Sequence, residues 1–204
     1  LKPESLSFEQ AAAVPCAALT AWDAVVRVAK ARAGQRILIH AGAGGVGHFA
    51  VQFAKYFGAQ VATTVSTRNV DFARSLGADE VIDYTQSRFE DALQKVDVVI
   101  DLVGNVADDT GTRSLDVLKH GGLYLNVPTG SWPEYAAAAA ERGLRSSSVK
   151  VESDGSNLGI IGRLIDAGDV HVEVQHIYPL DQVHEAFAEL QGGHVRGKLV
   201  LKIR

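Results

Sequence analysis

The sequence has no methionine and a single cysteine, Cys16, in 204 residues. One thiol excludes an intrachain disulfide and any zinc centre that needs several thiolates from this chain. No apolar run approaches the roughly 18 residues that a membrane-spanning helix requires. Basic residues do not outnumber acidic ones: 20 Lys and Arg against 24 Asp and Glu give a net charge of −4. A mildly acidic chain without basic clusters is not built to hold nucleic acid. The first residues, LKPESLSFEQ, carry Glu4 and Glu9 and lack the apolar stretch of a signal peptide, so a cytoplasmic location is expected. A chain that opens at Leu1 and holds no Met is expected to be a piece of a longer protein.

What is present is an ordinary globular composition, 47% hydrophobic and 22% charged. The length suits one large domain with a sizeable core. From Gln35 to about Val151, short apolar runs alternate with helical stretches. The runs are 36–40, 61–65, 80–82, 96–101, 123–127 and 144–151. Their apolarity is continuous rather than alternating, which suits strands buried on both faces of a parallel sheet. Helices are expected at Gly45–Phe57, Val70–Leu76, Arg88–Lys95, Thr112–Lys119 and Pro133–Arg142, with Gly58, Gly77, Gly121 and Gly143 as closing residues. The fold class is therefore α/β, a doubly wound parallel sheet of the Rossmann type in three α/β/α layers.

Three segments follow from this pattern. Residues 35–155 form the dinucleotide-binding domain. Residues 1–34 form a helical lead-in, with Ser7 and Gln10 in capping-box spacing. Residues 156–204 hold a helix ended by Gly168, an extended stretch 170–177, a helix starting at Pro179, and a last strand 197–201 without a partner in the six-strand scheme.

The strongest motif is Gly42-Ala43-Gly44-Gly45-Val46-Gly47, a G-x-G-x-x-G that follows a strand, opens a helix and begins a βαβ unit. In that context Gly42 permits the tight turn, Gly44 lets backbone approach a pyrophosphate, and Gly47 lets helix pack close to strand. The N–H groups and dipole at the helix start then hold the anion. The alternative is a structural glycine turn without ligand. An NAD site would place Asp or Glu at the end of the second strand. Here that region reads Val65-Ser66-Thr67-Arg68-Asn69, with no carboxylate before Asp71. Arg68 would pair with a 2′-phosphate and Ser66 or Thr67 could donate to it, so NADP(H) is favoured over NAD(H). A solvated loop arginine is the other reading of Arg68.

Ala41–Gly47 with Ala50, Gln52, Ala54 and Lys55 resembles the medium-chain dehydrogenase/reductase superfamily, and more narrowly its zinc-independent quinone oxidoreductase branch. Supporting stretches are Ser75–Tyr84, Asp97–Gly104, Ala11–Trp22 and Gly192–Leu201, so the resemblance runs over essentially the whole chain. It implies that Ala43, Gly44, Gly45 and Val46 lie on the pyrophosphate and that Ser66 and Arg68 flank the 2′-phosphate. It puts Tyr84 beside that phosphate and the adenine, and Asn105 where a loop meets the nicotinamide half. Val127 and Pro128 lie beneath the nicotinamide, and Ser146–Ser148 further along. Tyr84 as a surface aromatic and Asn105 as a turn former are the plainer readings. Many relatives carry a lysine where this chain has Arg68 and Asn69.

The family also has a preceding catalytic domain, and nearly all of it is missing here. The resemblance implies hydride transfer from NADPH to a quinone, activated alkene or carbonyl. The alternatives are the cofactor domain of a zinc-dependent alcohol dehydrogenase and a nucleotide-binding module without turnover. It implies a small-molecule substrate, no membrane or nucleic-acid partner, and a homodimer through the edge of the sixth strand.

The proton donor is not assigned. Seven histidines are spread widely, with no His-x-x-x-His on one helix, and no metal site is expected. His48 reads as a helix-surface residue, Cys16 as a small core residue, and Asp101 as an orienter of the cofactor loop or a cap for Asn105.

Overall fold

The computed structural model describes residues 2–203; Leu1 and Arg204, the outermost residues of the two end segments, lie outside them. Six strands form one parallel sheet: β1 (Arg36–Ile39), β2 (Gln60–Val65), β3 (Glu80–Asp83), β4 (Val96–Asp101), β5 (Leu118–Asn126) and β6 (Arg145–Ser148). Their order is β3-β2-β1-β4-β5-β6. This is the doubly wound order, in which connections leave β1 and β4 in opposite directions and open a crevice at their carboxyl ends.

Side-chain alternation along the strands builds two cores. Ile37, Ile39, Val98, Ile100, Leu123 and Leu125 face one layer, and Leu38, Val99 and Tyr124 face the other. The first layer holds α1 (Phe8–Ala12), α2 (Pro15–Trp22, continued by a π-helical stretch Asp23–Val28), α3 (Gly47–Tyr56) and α8 (Gly155–Asp166). Ser7 and Gln10 form the expected capping box, and Pro15 starts α2, where its missing N–H costs nothing. The small residues Ala17, Ala18, Ala21 and Ala24 let this helix approach Phe49 and Phe53 of α3, with Trp22 meeting Phe53 edge to face at 5.2 Å. Phe49 and Phe53 are fully buried, worth about 2–3 kcal/mol each. The lead-in is thus integral to the main core rather than an appendage. The second layer holds α5 (Phe89–Ala92), α6 (Thr110–Asp116) and α7 (Tyr135–Glu141); α4 (Val70–Ser75) lies between β2 and β3 in the chain.

Several expectations need correction. The helix expected at Arg88–Lys95 is a single turn, and β6 covers only 145–148 of the expected 144–151. Gly58, Gly77 and Gly143 do close helices with positive φ, but Gly121 (φ 69°) kinks β5 instead, because α6 ends at Asp116. Pro179 does not start a helix. It ends β7 (Val174–Pro179), and α9 (Val183–Gln191) begins after a 3-10 turn. The last strand, β8 (Lys198–Lys202), has a partner after all: it pairs in parallel with β7 as a separate two-stranded sheet.

Candidate functional site

The loop from β1 to α3 crosses the crevice at the switch in strand order. Its left-handed residue is Ala41 (φ 53°), not Gly42, so the tight turn assigned to Gly42 belongs to its neighbour. Gly42 is required for another reason. A Cβ there would stand 2.0 Å from the Thr63 hydroxyl oxygen, which donates to the Ile39 carbonyl at 2.6 Å. Gly47 allows the start of α3 to rest on the loop: a Cβ would lie 2.0 Å from the Ala41 carbonyl oxygen. At Gly44 the nearest atom, the same oxygen, is 3.2 Å away, so that face of the loop is open.

Two cavities meet at Ala41. One of about 330 Å³ is bordered by Gly44–Gly47, Leu102, Val127, Pro128 and Lys198. The other, about 420 Å³, is bordered by His40, Thr64, Tyr84, Phe89, Val103 and Ala107, among others. A glycine loop between two cavities suits a dinucleotide: bare backbone for the diphosphate, an apolar bed on one side and, on the other, a cavity lined by Tyr84 and Phe89.

The expected site residues are distributed as follows. Gly44, Gly45, Val46, Gly47, Val127 and Pro128 surround the smaller cavity, and Tyr84, half exposed, borders the larger. Ala43 is buried behind the loop, its carbonyl accepting from Gly197 N at 2.8 Å. Ser66 is buried at the end of β2, and its hydroxyl accepts from Asn69 at 3.4 Å. The Arg68 guanidinium is exposed and donates to the His194 carbonyl. Thr67 donates to Asp83 at 2.5 Å. Asn105 borders neither cavity; its carbonyl oxygen accepts from Thr112 N at 3.0 Å and so holds the start of α6.

Asp101 does organise the loop, though not through Asn105. Fully buried, it accepts from Val103 N and Gly104 N at 2.8 Å each and from the Tyr124 hydroxyl at 2.6 Å. Burial, then the Asp101 charge, push the Tyr124 phenol far up, so it stays a donor. Leu102 and Val103, one bordering each cavity, are thereby fixed.

His40, to which the glycine motif assigns no part, also borders the larger cavity. It is buried, with Nδ1 3.0 Å from the Thr64 hydroxyl and Nε2 2.8 Å from that of Ser114. Ser114 donates onward to the Thr110 carbonyl at 2.7 Å, so His40 carries its proton on Nε2 and accepts from Thr64. Burial holds the ring's pKa below its ordinary value, keeping it neutral. A polar residue closing an apolar strand beside the glycine motif was the available signal.

Two other expectations fail. Cys16 is exposed. His48 is fully buried rather than on the helix surface, with Nδ1 donating to the Gly44 carbonyl at 2.9 Å. Desolvation drives its pKa down to about 4, against the pull of that carbonyl and with help from the Lys198 charge.

The folded value lies below the unfolded value of about 6.5, so the unfolded chain binds the extra proton between those limits. The stability held by neutral His48 is full above about pH 6.5 and is lost as pH falls toward 4. Urea unfolding of wild type at pH 4.5 is expected to show about 2 kcal/mol less stability from this group than at pH 7. His48→Gln should flatten the decline; an unchanged slope would remove His48 as its source.

Comparison with known proteins gives a consistent family. A family model described as zinc-binding dehydrogenase matches residues 76–201. The chain is 38% identical over 205 residues to the chloroplastic NADPH-dependent alkenal/one oxidoreductase of Arabidopsis thaliana, covering 98% of this chain and 49% of that protein. The quinone oxidoreductase from Coxiella burnetii superposes with a TM-score of 0.94 at 41% identity, over 100% of this chain and 63% of that one. The Escherichia coli quinone oxidoreductase complexed with NADPH gives 0.88 at 29%, over 100% and 68%. The chain spans about half the length of the curated relatives it matches. Among the described residues no group of three His, Cys, Asp or Glu is arranged to hold a metal ion.

Proposed function

We propose, on the premise that this chain belongs to the medium-chain dehydrogenase/reductase superfamily, that it is the NADP(H)-binding unit of a reductase acting on a quinone, activated alkene or carbonyl. The observation that carries the reading is the pair of cavities meeting at the glycine loop, with Ser66 and Arg68, and no carboxylate, at the end of β2.

The bound cofactor supplies a hydride. The chain's own part is to hold and orient it. Backbone from Ala43 to Val46, before the start of α3, takes the diphosphate. Leu102, Val127 and Pro128 give the ring an apolar bed and keep water from one face of it. Tyr84 borders the adenosine slot, and Ser66 and Arg68 face the 2′-phosphate. We assign Asn105 a positioning part only, through Thr112 and α6.

The test is a calorimetric titration of the 204-residue chain with NADPH and with NADH. NADPH should bind at least about tenfold more tightly, the worth of one charged hydrogen-bonded contact. Arg68→Ala should erase most of the difference. Equal affinities would overturn the cofactor assignment and leave the fold intact, and binding of neither would remove the site from this chain.

Residues 1–34 and 156–204 are proposed as the connections to a catalytic domain, with 35–155 as the dinucleotide-binding unit. The isolated β7–β8 sheet supports this, with Ile177, Leu180 and Ile203 exposed on it and beside it. A homodimer through the free edge of β6 is proposed on the same logic, since an unpaired strand edge invites pairing; sedimentation reads it. No helix of the described residues is long and apolar enough to cross a membrane. A cytoplasmic or organellar location is proposed, the Arabidopsis relative being chloroplastic.

A further inference from the structure

We propose that His40 is a positioning residue for the dinucleotide: its Nε2–H tautomer carries a one-way hydrogen-bond chain that ties the turn of the glycine loop, through Thr64, to α6. The inference rests on the cofactor reading above and adds to it what holds the loop in shape. Ala41, where the two cavities meet, is left-handed (φ 53°) without being glycine. An L-residue with a side chain does not rest there unaided, so its surroundings must hold it.

Thr64 does so at two points. Its carbonyl accepts from Gly42 N at 3.2 Å, and its hydroxyl oxygen accepts from Ala41 N at 3.3 Å. The hydroxyl has one hydrogen of its own to place. The acceptor for it is His40 Nδ1, at 3.0 Å, and among the described residues it has no other. Without that acceptor a buried O–H is left unpartnered, and the cost is relieved by moving the hydroxyl off the turn.

Nδ1 can accept only while the ring carries its proton on Nε2, and Ser114 decides that. Its hydrogen goes to the Thr110 carbonyl at 2.7 Å, so it meets Nε2 at 2.8 Å as an acceptor. The chain thus runs one way, from the Ala41 N–H through Thr64, His40 and Ser114 to the Thr110 carbonyl. All three side chains are buried, so water does not replace a lost partner. Phe89 meets the ring edge to face, 4.7 Å between centroids, and fixes its plane. Burial keeps the ring neutral against the Asp101 charge; Arg113 adds to the lowering and Glu90 opposes it. Ala41, Thr64, His40 and Thr110 all border the larger cavity, so the chain holds facing walls of one site in register.

The experiment records the imidazole nitrogens of the 204-residue chain by NMR. It also titrates wild type, His40→Phe, His40→Asn, His40→Gln and Ser114→Ala with NADPH and NADH. The His40 signals, identified by their loss in His40→Asn, should show the proton on Nε2. His40→Phe fills the ring's space without an acceptor and should weaken both dinucleotides by the same factor, about tenfold. His40→Asn puts an amide oxygen where Nδ1 stands and should recover most of that loss. His40→Gln, which keeps only the donor to Ser114, should not. Ser114 borders neither cavity, yet Ser114→Ala should move the ring's proton to Nδ1 and weaken both ligands about as much. A proton on Nδ1 in wild type, or unchanged affinities in a folded His40→Phe, overturns the proposal. Equal losses in His40→Asn and His40→Gln overturn it too, because a ring that only fills space does not distinguish them; this comparison decides where His40→Phe does not fold. A loss confined to NADPH overturns it by placing the effect at the 2′-phosphate. A wild type that binds neither dinucleotide overturns the cofactor reading, and this role with it, whatever the spectrum shows.

Discussion

Gly47→Ala is expected to abolish dinucleotide binding and to lower the melting temperature by about 5–10 °C. The added methyl would stand 2.0 Å from the Ala41 carbonyl oxygen and 2.8 Å from Gly42 Cα. Both are backbone atoms, pinned by the left-handed turn at Ala41 and by the Gly42 N–H donated to the Thr64 carbonyl at 3.2 Å. Neither can rotate away, so α3 must shift off the loop. Overpacking of this kind costs about 1–3 kcal/mol, and each kcal/mol is worth roughly 2–4 °C at this length. Gly44→Ala is the control. Its methyl finds its nearest atom at 3.2 Å, so folding should change by no more than a degree or two. Binding should still fall by about tenfold or more, because the methyl occupies the open face where a phosphate must approach. Thermal scans and titrations of the two variants separate the roles. Equal melting temperatures for Gly47→Ala and wild type would show that helix packing does not require that glycine.

Asp101→Ala is expected to cost about 3–5 kcal/mol in urea unfolding. The carboxylate accepts three hydrogen bonds with no exposure to water. Its removal leaves two N–H groups and a phenol buried without partners, at about 1–3 kcal/mol each before relaxation. Asp101→Asn keeps the oxygen that takes Val103 N and Gly104 N, and the Tyr124 hydroxyl can turn to accept from the amide. It should lose only about 1 kcal/mol. Tyr124→Phe strips one donor from a buried charge and should lie between the two. The double variant Asp101→Asn with Tyr124→Phe should fall short of the summed losses if the pair acts as one unit. The loop is confined from its other side as well, since a Cβ on Gly104 would meet the Ser131 hydroxyl at 2.2 Å. Binding should therefore fall in step with stability. A stable Asp101→Ala that binds normally would remove the carboxylate as organiser of the crevice.

What the sequence made legible is what local pattern encodes. Six apolar runs separated by helical spacing imply the sheet, and the glycine motif between the first run and its helix identifies the end of the sheet that matters. What it hid depends on distant neighbours. Ala41 carries the left-handed turn, whereas Gly42 is small because Thr63 of β2 occupies the room a side chain would need. His48 reads as a surface residue by its place on a helix, but it is buried under the segment carrying Glu173, whose N–H it accepts at 3.5 Å. Gly121 looks like a helix stop and is a strand kink, because β5 starts three residues earlier. The partner of the last strand lay in a short, half-polar stretch, Val174–Pro179, whose pairing no periodicity announces. Gly197, which donates to the Ala43 carbonyl, sits 154 residues from it in the chain, beyond the reach of any motif of fixed spacing.

That separation has a consequence for how the protein is made. The loop that begins at Ala41 is made together with β1 and α3, and at ribosomal rates of about 5–20 residues per second the stretch 192–198 follows roughly eight to thirty seconds later. Until then the Ala43 carbonyl lacks its Gly197 partner. The nascent chain can assemble its whole parallel sheet and still present a half-walled cradle. Cofactor capture is thereby deferred until residues 192–198 have been made, and ligand-assisted stabilisation acts only from that point on.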